Sequence, residues 1–171
     1  MTRPGRLHHH AFVVADQERT RAFYEEIIGL PLAATWCEHD DNLGDYCHTF
    51  FELDDGSCLA FFQFADPEVH KVNATPSTSV FDHVALEATA EVQAAIKERA
   101  EAAGAFAAVV DHGYCTSLYV PDPDGLLVEI TVDHPGVADT ADERRQRAHD
   151  DLARWLAGDH ADNNPFRPAH P

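Results

Sequence analysis

The sequence predicts an α+β fold made of two copies of a β-α-β-β-β unit followed by a C-terminal helical extension. Three observations point to it. Leu7-His8-His9-His10-Ala11-Phe12 and Phe81-Asp82-His83-Val84-Ala85-Leu86 are apolar hexapeptides of strand-like composition, each with a histidine in third position. Each leads into a helix-like stretch that stops at a glycine, Gly29 in the first case and Gly104 in the second. Each unit then carries an Asp-Gly hairpin turn, Asp55-Gly56 or Asp124-Gly125. Agreement in the same order at several structural levels is what an internal duplication leaves in a chain.

Residues 7–14 read as the first strand. Asp16 is placed to cap a helix in which Ala22, Phe23, Ile27 and Ile28 recur at helical spacing. Gly29 ends that helix and Pro31 confirms the stop. Strands are expected over 32–37, 47–53 and 58–64, with Asp54-Asp55-Gly56-Ser57 as the turn between the last two. A polar, proline-containing connector over 65–79 precedes the second unit. There strand 81–87 leads through Thr89, an N-cap, into a helix over 90–103, and strands follow near 106–110, 115–120 and 126–132. The expected organisation is a single domain over 1–171, with module one at 5–65, module two at 80–133 and the extension at 134–171. Ala141 to Leu156 reads as an amphipathic helix anchored by Leu152, Trp155 and Leu156. It suits either a docked helix with a loosely held tail or a lid or dimer clasp.

A chain of 171 residues buries a core without disulfides or a structural metal. Its 12 Lys and Arg against 30 Asp and Glu give a net charge of −18, so no nucleic acid is expected as a partner. Cys37, Cys47, Cys58 and Cys115 are widely spaced, form no paired motif, and read as buried or bystander thiols of a reducing compartment. No signal-peptide run is present, and no stretch approaches the roughly 20 apolar residues of a membrane span. A cytoplasmic location with no membrane partner is the expectation.

Strand alternation puts His9 on one face with Ala11 and Val13, and His8, His10 and Phe12 on the other, where they read as structural. His83 shares a face with Ala85 and Glu87, and Glu129 with Leu127 and Thr131. A lone carboxylate between apolar neighbours is costly unless a cation compensates it. Singly, either histidine reads as a hydrogen-bonded filler and Glu129 as a partner for an arginine. Two histidines at equivalent places in a repeat, with one carboxylate, make a metal site. Trp36, Phe50, Phe51, Phe61 and Phe62 suit either an aromatic pocket or the core.

The two hexapeptides, with Ala22-Phe23-Tyr24, Ile28-Gly29-Leu30, Asp122-Pro123-Asp124-Gly125 and Val128-Glu129-Ile130, resemble the vicinal oxygen chelate superfamily over about residues 7–132. That superfamily includes glyoxalases, bleomycin-resistance proteins and extradiol ring-cleaving dioxygenases. The resemblance implies paired modules forming a cupped mixed sheet around a metal, with His9, His83 and Glu129 as ligands. A glyoxalase-like isomerase would carry a further acidic ligand where aligning the two Asp-Gly turns places Ala60. Two imidazoles and one carboxylate hold an octahedral ion by one face, which suits Fe(II), with Mn(II) or Zn(II) as alternatives.

The pattern is closest to the extradiol enzymes, which implies a small catecholic substrate and dioxygen as partners. Tyr119, ten residues before Glu129, matches their active-site tyrosine, and His112 resembles the histidine they place before it. Ser57 stands where those enzymes usually have an acid/base histidine, so His48 or His112 is the expected substitute. The alternatives are a metal-dependent isomerase, epimerase or lyase acting on vicinal oxygens, or a protein that binds an aromatic metabolite or antibiotic without turnover. Exposed sheet edges and the C-terminal helix lead to the expectation of a homodimer.

Overall fold

The computed structural model describes residues 5–74, 79, 81–161 and 163–166. Module one runs β1 (His9–Val13), α1 (Gln17–Arg21) continuing into a π-helical stretch (Ala22–Ile28), β2 (Leu32–Asp40), β3 (Gly44–Glu52) and β4 (Cys58–Phe64). A short helix α2 (Pro67–Asn73) follows. Module two runs β5 (His83–Glu87), α3 (Ala90–Ala102), β6 (Ala108–Asp111), β7 (Cys115–Pro121) and β8 (Leu127–Asp133). A 3-10 turn (Ala138–Thr140) then opens α4 (Ala141–Leu156). Among the described residues the strands form two four-stranded mixed sheets, β1-β4-β3-β2 and β5-β8-β7-β6. In each the first strand runs parallel to the last, and the remaining pairs are antiparallel.

The caps fall where the sequence put them. Asp16 accepts from the amides of Glu18 and Arg19 at 2.8 and 3.0 Å, and Thr89 accepts from Val92 at 3.3 Å. The first helix departs from the expected regular α-helix: after Arg21 it widens, and the Gly29 amide reaches back five residues to the Tyr24 carbonyl at 2.9 Å. The wider turn puts Phe23, Tyr24 and Ile28 all in the core. Gly29, at φ 92°, takes the left-handed conformation that ends it.

Three further departures have plain causes. The expected connector contains α2, capped by Asp66 through the amides of Glu68 and Val69. β2 and β3 each extend three residues further toward their turn than the apolar pattern indicates, because ladder pairing continues through the polar positions Glu38 to Asp40 and Gly44 to Tyr46. His8 precedes β1, so alternation does not govern it, and its ring turns to meet His9.

One core joins both modules. Phe51, Leu59 and Phe61 of the first sheet and Leu118, Val120, Val128 and Ile130 of the second pack with Tyr24, Ile28, Ile96 and Ala100 from the helices. Full burial of such a side chain contributes about 1.5–3 kcal/mol. The helices are also tied down by polar contacts. Gln17 Nε2 donates to the Phe61 carbonyl at 2.8 Å, and Gln93 Nε2 donates to the Ile130 carbonyl at 2.7 Å. Phe61 lies opposite Phe12, and Ile130 opposite Leu86, so the same contact recurs at equivalent register positions of the repeat.

Across the modules Arg99 donates to the carbonyls of Ile27 and Ile28 at 2.7 and 3.1 Å, capping the π-helical stretch. The Tyr24 hydroxyl donates to Asp122 at 3.2 Å in the buried layer between them. The extension folds back on module two, where Asn164 Nδ2 donates to the His112 carbonyl at 3.4 Å. None of the described helices is long and apolar enough to cross a membrane.

Candidate metal centre

Residues opposite one another in a sheet share a face. In the first sheet the register Ala11↔Ala60↔Phe50 and Val13↔Phe62↔His48↔Trp36 puts His9, His48, Phe50, Phe62 and Trp36 on the face away from the core. In the second, Ala85↔Glu129↔Tyr119 and His83↔Leu127 put His83, Glu129 and Tyr119 on the corresponding face. The two registers correspond position for position. Ala11 pairs with Ala60 as Ala85 pairs with Glu129, so Ala60 occupies the place of the carboxylate in module one. Phe50 likewise occupies the place of Tyr119.

Glu129 is only 6% exposed and has two partners. Its Oε2 lies 2.9 Å from His83 Nε2, and its Oε1 accepts from the Tyr119 hydroxyl at 2.9 Å. His83 Nδ1 meets the Phe81 carbonyl at 2.9 Å, which fixes a hydrogen on that nitrogen. With Nδ1 so occupied, Nε2 is the ring nitrogen left to face the carboxylate oxygen, and the two atoms need a proton or a cation between them. A backbone carbonyl on the far nitrogen is also what orients a metal-ligating histidine. His83 and Glu129 accordingly fit a divalent ion.

Tyr119 accepts in turn from His112 Nε2 at 3.0 Å. Burial, then the hydrogen bond to Glu129 and its charge, push the phenol up to about 12, so it keeps its proton at neutral pH. A continuous hydrogen-bonded line thus joins His112, Tyr119, Glu129 and His83, four of the six expected site residues.

The other two lie on the first sheet. His9 Nδ1 is 2.7 Å from His8 Nδ1, and its ring sits edge-on to Phe50 at 5.6 Å and His48 at 6.1 Å. His48 stacks on Phe62 with ring centres 3.6 Å apart. Burial, followed by the neighbouring His9, holds its imidazole below the usual range and so neutral at pH 7, and its Nε2 is buried with no hydrogen-bond partner among the described residues. Among the described residues no three His, Cys, Asp and Glu side chains of one chain converge as a metal site. The structure therefore joins His83 to Glu129 but leaves His9 with His48.

Ser57 is spent on its turn: its amide and hydroxyl both donate to Asp55, at 2.8 and 2.5 Å. The aromatic residues divide, with Phe51 and Phe61 in the core and Trp36, Phe50 and Phe62 on the open face. Two contributors escaped the sequence. The Phe81 carbonyl that orients His83 is backbone, and no side-chain pattern marks it. Strand alternation alone would turn His8 away from His9, yet it is the hydrogen-bond partner of His9.

A family model described as Glyoxalase/Bleomycin resistance protein/Dioxygenase superfamily matches residues 6–130. No curated protein matches the chain. Among solved structures, a putative dioxygenase from Bacillus subtilis is 19% identical with a TM-score of 0.57, over 75% of this chain but only 40% of that one. The fosfomycin resistance protein FosX from Listeria monocytogenes, complexed with Mn(II) and sulfate, is 18% identical with a TM-score of 0.56, over 80% of this chain and 98% of that one. A glyoxylase/bleomycin resistance protein/dioxygenase domain from Frankia is 15% identical with a TM-score of 0.59, over 77% and 100%. At these identities the likeness is one of fold.

Proposed function

The chain belongs to the Glyoxalase/Bleomycin resistance protein/Dioxygenase superfamily, and on that premise we propose that it is an Fe(II)-dependent dioxygenase that opens the ring of a small catecholic substrate. The observation that carries this reading is the hydrogen-bonded line from His112 through Tyr119 and Glu129 to His83, which sets a ligand pair beside a protonated phenol and a second imidazole. Such a line serves both halves of the chemistry.

His83 and Glu129 hold the ion, and His9 is the third ligand. Each of the two open faces backs onto the shared core, so two copies of the chain, with the first sheet of one facing the second sheet of the other, complete the set. A divalent ion held there would supply a positive centre for two vicinal oxygens and, as iron, electrons for dioxygen. Tyr119 keeps a transferable proton at its hydroxyl, and His112 Nε2 replaces it. His48, neutral and without a partner at Nε2, is the acid/base group on the opposite face. Trp36, Phe50 and Phe62 form an apolar wall for an aromatic ring.

One observation favours a second reading. Ser57 is committed to its turn where extradiol enzymes use a histidine, and a structural relative carries Mn(II). A Mn(II)- or Zn(II)-dependent isomerase, epimerase or lyase would use the same ligands without dioxygen. Protein loaded anaerobically with Fe(II) should consume oxygen with a panel of catechols and form a yellow product. No oxygen uptake with any catechol, together with Mn(II)-dependent turnover of a vicinal-oxygen substrate, would replace the first reading by the second.

A further inference from the structure

The β2–β3 hairpin brings together two cysteines that lie ten positions apart in the sequence. Cys37 and Cys47 are direct register partners across the antiparallel pair. Opposed residues of such a pair stand about 4.5–5.5 Å apart at Cα, within the span a disulfide bridges. Both side chains lie on the same side of the hairpin, and both line a cavity of about 570 Å³ with His39, Asp45 and Gln63. Cys37 is exposed and Cys47 half-buried.

The hairpin end is held firmly around them. His39 Nδ1 lies within hydrogen-bond distance of Asp45 Oδ1 at 2.7 Å, Tyr46 donates to Glu38 at 2.5 Å, and Asp40 accepts from the amides of Asn42 and Leu43 in the turn. Paired thiols held opposite each other, one of them open to solvent, are placed for intramolecular oxidation.

We propose that Cys37 and Cys47 form a reversible dithiol–disulfide couple, oxidised by hydrogen peroxide and restored by a small thiol reductant. Cys37, the exposed member, attacks first. Its thiolate sulfur forms a bond to one peroxide oxygen, the O–O bond breaks, and with one proton the products are Cys37 sulfenic acid and water. Cys47 Sγ then attacks Cys37 Sγ, the S–O bond breaks, and the hydroxyl leaves as water with the Cys47 proton. Two thiols lose two electrons to one peroxide. Burial and the neighbouring Cys37 sulfur push the Cys47 thiol up, which suits it to the second role rather than the first. Cys58 is half-buried and Cys115 buried, and neither pairs with another cysteine in the strand register, so they serve as internal controls.

Full-length protein treated with hydrogen peroxide, unfolded and alkylated should lose two reactive thiols and retain two. Cleavage at acidic residues and mass spectrometry should then find the peptides of Cys37 and Cys47 joined, and dithiothreitol should separate them. With Cys47→Ser, dimedone should label Cys37; with Cys37→Ser, it should leave Cys47 unlabelled. Peroxide that leaves both thiols free, or that joins Cys37 only to another molecule, would overturn the proposal. Dimedone labelling of Cys47 in Cys37→Ser to the same extent would overturn the assigned order.

Discussion

Tyr119 donates its phenolic hydrogen to Oε1 of Glu129 across the β7–β8 pair at 2.9 Å, while Oε2 of the same carboxylate faces His83. One carboxylate therefore faces the proposed ligand His83 with one oxygen and accepts the phenolic hydrogen with the other. Removing the hydroxyl should separate these tasks. In Tyr119→Phe, metal retention should persist, since His83 and Glu129 remain, while kcat on the best catechol falls by about a hundredfold or more. Substrate KM should change little. Metal binding and turnover measured on the same samples check this, and loss of metal from Tyr119→Phe would make Tyr119 a support for Glu129 rather than an acid.

The buried contact from Tyr24 to Asp122 links the two modules, and it carries a pH signature. Burial, then the charge of Asp122, raise the Tyr24 phenol well above its usual range. Its folded-state value thus lies above the unfolded one of about 10. Its contribution is fully present below that value and is lost as pH rises beyond it toward the folded value. Tyr24→Phe should cost about 1–2 kcal/mol at neutral pH, because Asp122 loses a buried donor. It should also flatten the decline in stability above pH 10 or so. Urea unfolding of both proteins across that range tests both signs.

The proposed sharing of ligands between two copies has a complementation test. His9→Ala and His83→Ala should each be inactive alone. If sites form between copies, a mixed dimer holds one site with both lesions and one with none. Refolding the two variants together in equal amounts should then restore about a quarter of wild-type activity. Sites formed within one chain would each keep a lesion, and mixing would restore nothing.

The repeat was legible because it is written at several levels. The histidine hexapeptides, glycine stops and Asp-Gly turns fixed the order of elements, and the bounds of β4 and α4 match the expected ones. The alignment of turns that matched Ala60 in module one to Glu129 in module two is reproduced by the strand register. Alternation also sorted His9 from His10, which packs on Phe12 on the core side. Other features depend on packing that no local pattern encodes. The π-helical stretch follows from the need to bury Phe23, Tyr24 and Ile28 together. Cys37 and Cys47 end the expected strands, but the residues between them, Glu38 to Tyr46, are mostly polar and do not mark the tight turn that sets their register. A strand face can be read from sequence, but which faces of two sheets meet cannot, so the sequence does not say whether His9 meets His83 and Glu129 within one copy or between two.

The central claim is that His9, His83 and Glu129 bind one metal ion. Its most direct test is metal content after anaerobic loading with Fe(II) and desalting, measured on the wild type and on His9→Ala, His83→Ala and Glu129→Ala. The account predicts about one ion per chain in the wild type and almost none in each variant. Full metal content in any one of the three would remove that residue from the site, and full content in all three would contradict the site altogether.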